Sequence, residues 1–155
     1  MREFALGLLG LLGLFFSCGC SSAYEPARSP RITTVVEGGM PTFVKDGERY
    51  GGLTFGVGLV HAVHGNPRAE EQARVGRNLA IGGFVLDMTG LGCEFVGLAA
   101  LGQETERGRP SALSSGLIFG GLGAVIAGSV MLLSAQPHMY DAINIYNDSL
   151  DKPQP

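Results

Sequence analysis

The fold of this chain is decided by two stretches, LAIGGFVLDMTGLGCEFVGLAAL (residues 79–101) and ALSSGLIFGGLGAVIAGSVMLLSA (residues 112–135). Each is apolar and long enough to cross a bilayer as a helix, because about 23 residues rise roughly 34 Å against a hydrocarbon core of about 30 Å. A polar stretch, residues 102–111, separates them, and so short a connection makes two helices antiparallel neighbours. The sequence therefore predicts a mainly α protein built on a membrane helical hairpin over residues 67–136.

The second helix carries no ionisable side chain, and its small residues recur at every fourth position. They are Gly116, Gly120, Ala124 and Gly128. A strip of small residues lets another helix approach closely. The pattern predicts helix packing and does not by itself indicate a ligand site.

The first helix differs because it contains two acids, Asp87 and Glu94. Seven residues apart, they lie on nearly the same face, about 10 Å from each other, alongside Gly83, Gly90 and Gly97. A charged residue near the bilayer centre costs about 2.5 to 3.5 kcal/mol, so this face should pack against the second helix or another copy. We interpret the acids as polar contacts within an oligomerising hairpin. Two alternatives stay open: a proton or cation pathway that the acids line, and a hairpin that does not span but forms part of a soluble or peripheral bundle.

The N-terminus is typical of an export signal. Residues 4–16 form an apolar run that fits a signal peptide and is too short to span a bilayer, which predicts a signal peptide over residues 1–17. The following FSCGCSS (residues 16–22) resembles the lipobox of bacterial lipoproteins, and the resemblance implies lipidation at Cys18, with Cys20 as the alternative. Two further interpretations stay open: cleavage after Ala23 without a lipid, and a segment that is not cleaved at all.

Residues 18–66 contain several prolines and a Gly38-Gly39 pair, which favours a largely irregular extracytoplasmic tether. Residues 32–36 have the pattern of a short strand, and Asp46-Gly47 is a favoured two-residue turn, so a short β-hairpin is expected there. A helix should begin near Pro67, which suits a first turn.

His61 and His64 stand three apart, but no third ligand is near them in sequence, so we interpret them as surface or interfacial residues and predict no metal site. Over residues 137–155 we expect a short interfacial helix (residues 140–147) with tyrosines, followed by a disordered tail.

The charge and composition exclude several classes of function. Charged residues make up 16% of the chain and its net charge is −3, which offers no basic surface for nucleic acid. Neither a catalytic triad motif nor a phosphate-binding loop is present, so we expect no enzymatic activity and no cofactor.

The order of signal, proline-containing segment, glycine-rich hairpin and short tail resembles that of uncharacterised bacterial lipoproteins with a two-helix glycine zipper. The resemblance implies a structural or interaction protein of the cell envelope, bound to the lipid membrane and able to form a homo-oligomer; it does not identify a protein partner. With an exported N-terminus, a spanning hairpin also returns the C-terminus to the extracytoplasmic side.

Overall fold

The computed structural model describes residues 26, 28–37, 40–51, 56–106 and 112–151. Its strands are β1 (Thr33–Glu37), β2 (Met40–Lys45) and β3 (Glu48–Gly51), and its helices are α1 (Val57–Ala62), α2 (Pro67–Glu106) and α3 (Ala112–Leu150). The fold is mainly helical, as predicted. The expected signal peptide, Cys18, Cys20 and the cleavage site after Ala23 lie outside the described residues, as do residues 107–111 and the last four residues.

Helices α2 and α3 form a long antiparallel hairpin. They contain 40 and 39 residues and are therefore each about 60 Å long, which is nearly twice the length of the apolar stretches. Helix α2 begins at Pro67, as predicted, and Asn66 caps it: the Asn66 Oδ1 accepts a hydrogen bond of 3.2 Å from the Ala69 amide. The hairpin thus extends well beyond the thickness of a bilayer's apolar core.

The strands form one antiparallel sheet in the order β1-β2-β3. The predicted turn is present: Asp46 and Gly47 have φ of 54° and 85°, and Lys45 pairs with Glu48 across it. Two positive φ angles are what a tight two-residue hairpin turn requires. The strand predicted at residues 32–36 and the predicted β-hairpin are both present, and they pair with each other in one sheet instead of standing apart in an irregular tether.

The sheet is ordered because one of its faces packs on the helices. Ile32 and Phe43 are 3% and 4% exposed and belong to the same buried cluster as residues of all three helices. A small sheet is stable only when such a partner covers a face. We call this part of the molecule the head: the sheet, α1, α2 up to Asn78 and α3 from Gln136 onward. The buried cluster consists of Ile32, Phe43, Leu59, Ala62, Val63, Ala69, Ala73, Ala142, Ile143 and Tyr146.

The expected separate helix at residues 140–147 is wrong, because α3 continues through Pro137 to Leu150. A proline inside a helix removes one backbone hydrogen bond and normally breaks or kinks the helix. Here packing against the rest of the head stabilises the helix beyond the proline: Ala142 is fully buried, and Ile143 and Tyr146 are 6% and 9% exposed. Tertiary packing therefore outweighs the local effect of the proline.

Asn147 joins the end of α3 to the start of the sheet. Its Oδ1 accepts a hydrogen bond of 2.8 Å from the Ile32 amide, and its Nδ2 donates one of 3.0 Å to the Ile32 carbonyl. Nearby, the Lys45 Nζ donates to the carbonyl of Ala62 at 2.6 Å and lies 4.5 Å from the centre of the Tyr146 ring. These contacts connect sheet, α1 and α3 at one end of the hairpin.

Replacing Asn147 by alanine should loosen the sheet, because both backbone groups of Ile32 lose their partner in a part-buried place. We expect a loss of about 1–3 kcal/mol in the local stability of the chain where it enters β1, measured as faster amide hydrogen exchange at Ile32. Asn144→Ala, an exposed site on the same helix, is the control. Equal exchange in the two variants would contradict the role given to Asn147.

Candidate membrane-spanning hairpin

The hairpin beyond the head exposes apolar side chains around both helices. Both helices are long and apolar enough to cross a membrane, and only 11% of the most apolar section of each is buried. Such exposure distinguishes them from the core helix of a water-soluble domain. We call residues 79–101 of α2 and 112–135 of α3 the belt. Its exposed large side chains are Ile81, Phe84, Val85, Met88, Leu91, Phe95, Val96, Leu98, Leu113, Phe119, Leu122, Ile126, Val130 and Leu133.

Within the belt the two helix backbones are in direct contact. A Cβ atom placed on Gly90 would lie 2.6 Å from the Gly121 carbonyl oxygen, and one placed on Gly121 would lie 2.6 Å from that of Gly90. Gly83 meets the Gly128 carbonyl oxygen in the same way. Carbonyl oxygens this close to the opposite Cα atoms are in range of weak Cα–H···O bonds. No larger residue fits at these positions.

The contact repeats every seven residues on both helices. On α2 it uses Gly76, Gly83, Gly90 and Gly97, and on α3 it uses Ser114, Gly121, Gly128 and Ala135. A step of seven residues turns only about 20° around an α-helix, so the contact follows one side of each helix along its whole length. Two antiparallel helices can thus stay together from the head to the far end of the belt.

The predicted four-residue strip on α3 is not the face that contacts α2. Gly116 and Gly120 face open space and Ala124 is only half-buried, whereas Gly128 belongs to both series and lies in the contact. The reason is geometric: a step of four residues turns about 40° around the helix, so a four-residue strip leaves a long contact after two or three steps. Gly83, Gly90 and Gly97, which the sequence placed beside the acids, do lie against α3.

Asp87 and Glu94 lie at the edge of this contact, each beside a glycine of α3. The Glu94 Cγ is 2.8 Å from the position that a Cβ on Gly121 would take, and the Asp87 Oδ1 lies against Gly128 in the same way. The Oδ1 atom of Asp87 is buried and has no hydrogen-bond partner among the described residues. The nearby Thr89 hydroxyl donates to the Val85 carbonyl of its own helix at 2.8 Å.

A polar cluster around Glu70 closes the loop between α1 and α2. One carboxylate oxygen of Glu70 accepts a hydrogen bond of 2.9 Å from the Gly65 amide and lies 3.0 Å from the His64 Nδ1, while Arg74 is 3.5 Å from the other oxygen. The Gly65 hydrogen bond is the main reason why the pKa of Glu70 is lowered, and burial opposes it. We assign the cluster a structural role at the start of α2.

The two histidines do not share a helix face, because α1 ends at Ala62, between them. His64 has 84% of its side chain exposed and pairs with Glu70, and His61 is exposed. In the described part of the chain no three His, Cys, Asp or Glu side chains come together as metal ligands.

Comparison of the chain with protein-family models, with curated proteins and with solved structures finds no match. The arguments about function therefore rest on the physical properties of the hairpin.

Replacing Gly128 by alanine should force α2 and α3 apart, because the new methyl group would meet both the Gly83 carbonyl oxygen, at 2.6 Å, and the Asp87 carboxylate. Overpacking of this kind costs about 1–3 kcal/mol. The expected result is a lower midpoint of SDS-induced loss of helical circular dichroism for the full chain in mild detergent.

Gly120→Ala is the matched control, since its methyl group meets nothing within 4 Å. It should leave the midpoint unchanged or raise it slightly, because alanine favours helix over glycine by about 1 kcal/mol. A larger loss for Gly120→Ala than for Gly128→Ala would mean that the four-residue strip is the principal packing face.

Proposed function

We propose that this protein is a membrane-anchored cell-envelope protein of structural or interaction type, in which the belt spans a lipid bilayer and the head lies in the adjoining water. The observation that carries the proposal is the exposed apolar surface of the belt, which surrounds two helices that bury little except their mutual contact. Exposure of that apolar surface to water would be strongly unfavourable. A bilayer removes the penalty.

The distribution of charge along the hairpin supports the same placement. Apart from Asp87 and Glu94, residues 79–101 and 112–135 carry no charged side chain, whereas Arg74 and Arg77 lie just below the belt on α2. Arginines at that level can extend toward lipid head groups. Both acids lie beside glycines of α3 in the helix contact, and the large side chains exposed on the belt are apolar.

The proposed export signal sets the orientation of the chain across the membrane. If residues 1–17 direct export and Cys18 or Cys20 is lipidated, the mature N-terminus and the head lie outside the cytoplasm. An antiparallel hairpin then returns the end of α3 to the head, and only residues 102–111 reach the opposite side. The head contact between Asn147 and Ile32 is compatible with this topology.

An anchoring role is favoured over the alternative of a proton or cation pathway through a ring of hairpins. Such a pathway needs carboxylates that face water or a neighbouring copy. Asp87 and Glu94 instead fill space beside the glycines of their own α3. An ion conductance measured across vesicles that contain the reconstituted protein would support the pathway instead.

A charge added to the exposed surface of the belt should prevent insertion. The two acids of α2 cost about 5–7 kcal/mol and its apolar residues return about 3–6, so insertion is already marginal and a third acid adds about 2.5–3.5 kcal/mol against it. Met88→Asp, at a side chain 49% exposed, should release the unlipidated protein from membranes in an alkaline carbonate wash.

Val75→Asp is the control, because Val75 is also exposed on α2 but lies in the head. It should leave the protein in the membrane pellet. In a soluble helical bundle both substitutions would lie on the surface and change the stability by no more than about 0.5 kcal/mol. Equal retention of the two variants in the membrane pellet would therefore contradict the spanning belt.

The proposed lipid anchor has its own test in metabolic palmitate labelling within a bacterial host. Label should disappear in Cys18→Ser, or in Cys20→Ser if that cysteine is the acceptor, and persist in Cys93→Ser, whose cysteine lies in the belt. Unlabelled wild-type protein would overturn lipidation and favour cleavage after Ala23 or an uncleaved segment. It would leave the spanning belt unaffected.

A further inference from the structure

A cleft of about 180 Å³ separates the sheet from α3 at the end of the head that adjoins the belt. One wall contains Val36 and Pro41, which pair across β1 and β2, and the buried Phe43. Gln136 and Tyr140 of α3 form the other wall, and both are exposed. A cavity of about 150 Å³ can hold a benzene ring, so this cleft has room for part of a small amphiphilic molecule.

The direction of β1 explains why the cleft adjoins the belt. Before β1 begins, Ile32 is hydrogen-bonded to Asn147, and four residues later Val36 shares the cleft with Gln136. The two paths agree in length, since eleven helical residues rise about 16 Å and four strand residues about 13 Å. β1 therefore runs from the end of α3 back toward the belt, and the cleft lies at the belt's edge.

In the proposed placement the cleft lies in the interfacial layer of the bilayer. The belt ends at residue 135, and Gln136 to Tyr140 rise only about 6 Å beyond it. The polar layer on each side of the hydrocarbon core is about 5–7 Å thick. Tyrosine is favoured at this depth, because its ring is apolar and its hydroxyl reaches water. The lipid around the belt is therefore continuous with the cleft.

Arg77 lies at the same height along the hairpin as the cleft. Its neighbour Gly76 packs on Met139, a residue of the cleft: a Cβ on this glycine would lie 3.0 Å from the Met139 Cγ. The Asn78 Oδ1 accepts hydrogen bonds from two guanidinium nitrogens of Arg77, at 3.2 and 3.3 Å. Arginine has five N–H donors, so three remain that can bind a phosphate group.

Arg77 and the cleft also share one side of the helix pair. Gln72 and His138 mark the opposite side, where the His138 Nδ1 lies 2.7 Å from the Gln72 Oε1. At about 100° per residue, Arg77 is about 140° around α2 from Gln72, and Gln136 is about 160° around α3 from His138. A positive charge thus lies beside a largely apolar cleft, which matches the phosphate and the acyl region of a phospholipid.

We propose that this cleft is a phospholipid-binding site at the surface of the bilayer. The glycerol-ester region and the first methylene groups of one lipid occupy the cleft, and its phosphate pairs with Arg77. Thr34, Gln136 and Tyr140 line the cleft with hydroxyl and amide donors for the ester carbonyls. The bound lipid holds the head against the membrane. The inference rests on the proposed membrane belt, but not on the signal or the lipid anchor.

Native mass spectrometry of the full chain in mild detergent, titrated with phosphatidylglycerol, measures this binding. The wild type should bind one lipid molecule. Arg77→Gln should raise the dissociation constant about tenfold, because the ion pair with the phosphate is lost. Arg74→Gln is the matched control: Arg74 lies 3.5 Å from Glu70 and lines a different groove, so its loss should change the dissociation constant little.

Two results of this titration would contradict the site: a wild type that binds no phosphatidylglycerol, and equal weakening by the two arginine substitutions. A variant with both Cys18→Ser and Cys20→Ser should bind the lipid as the wild type does. Binding that appears only in this variant would mean that the chain's own acyl group fills the cleft, and would overturn the assignment to a bilayer lipid.

The depth of the cleft is measured by tryptophan fluorescence, because the chain contains no tryptophan of its own. Single tryptophans replace Ile126 in the belt, Tyr140 at the cleft and Leu150 ten residues further on, all of them exposed. In vesicles of phosphatidylcholine brominated on its acyl chains, Ile126→Trp should be quenched by bromine deep in the bilayer and Tyr140→Trp by bromine near the glycerol. Leu150→Trp should be quenched only by iodide in the water.

The same fluorescence measurement separates the two proposals. Quenching of Tyr140→Trp by iodide alone, with Ile126→Trp still quenched by deep bromine, would place the cleft away from the bilayer and overturn the lipid site. An Ile126→Trp variant that bromine does not quench would instead contradict the membrane belt.

Discussion

The contact between the backbones of α2 and α3 is the constraint on which the rest of the structure depends. Carbonyl oxygens of one helix lie where a side chain of the other would begin, at Gly83 with Gly128 and at Gly90 with Gly121. In the bilayer that we propose for the belt, burial of apolar surface would not drive the helices together, so close packing and weak Cα–H···O bonds would hold them. Both fall off steeply with distance, which is why glycine is needed at these positions and why its spacing sets the register of the whole hairpin.

The same register continues into the head, where water changes the balance of forces. Gly76 lies against Ala135, and further along Ala69 and Ala142 are both fully buried in the head cluster. Here burial of apolar surface against the sheet contributes, and alanine suffices where the belt uses glycine. In the proposed placement one pair of continuous helices serves two environments. The head holds α3 in helical form past Pro137.

Tight packing also explains how two acids are accommodated in an apolar section. Asp87 and Glu94 each occupy the space that a missing side chain on α3 leaves open, beside Gly128 and Gly121. The Asp87 Oδ1 atom is thereby buried. The glycines consequently have two roles, since they allow the backbones to meet and they provide room for the side chains of the two acids. A substitution at Gly128 disturbs both.

The sequence alone determined the helical hairpin, its antiparallel arrangement, the start of α2 at Pro67 and the turn at Asp46-Gly47, because apolar length, helix capping and turn preference are local properties. Tertiary structure decided the rest. The four-residue strip from Gly116 was visible in sequence, yet the contact follows the seven-residue series through Gly121 and Gly128, because only that spacing stays on one side of two long helices. The sheet and the continuation of α3 likewise depend on contacts between segments far apart in the chain, such as the one between Ile32 and Asn147. No local sequence pattern predicts such a contact.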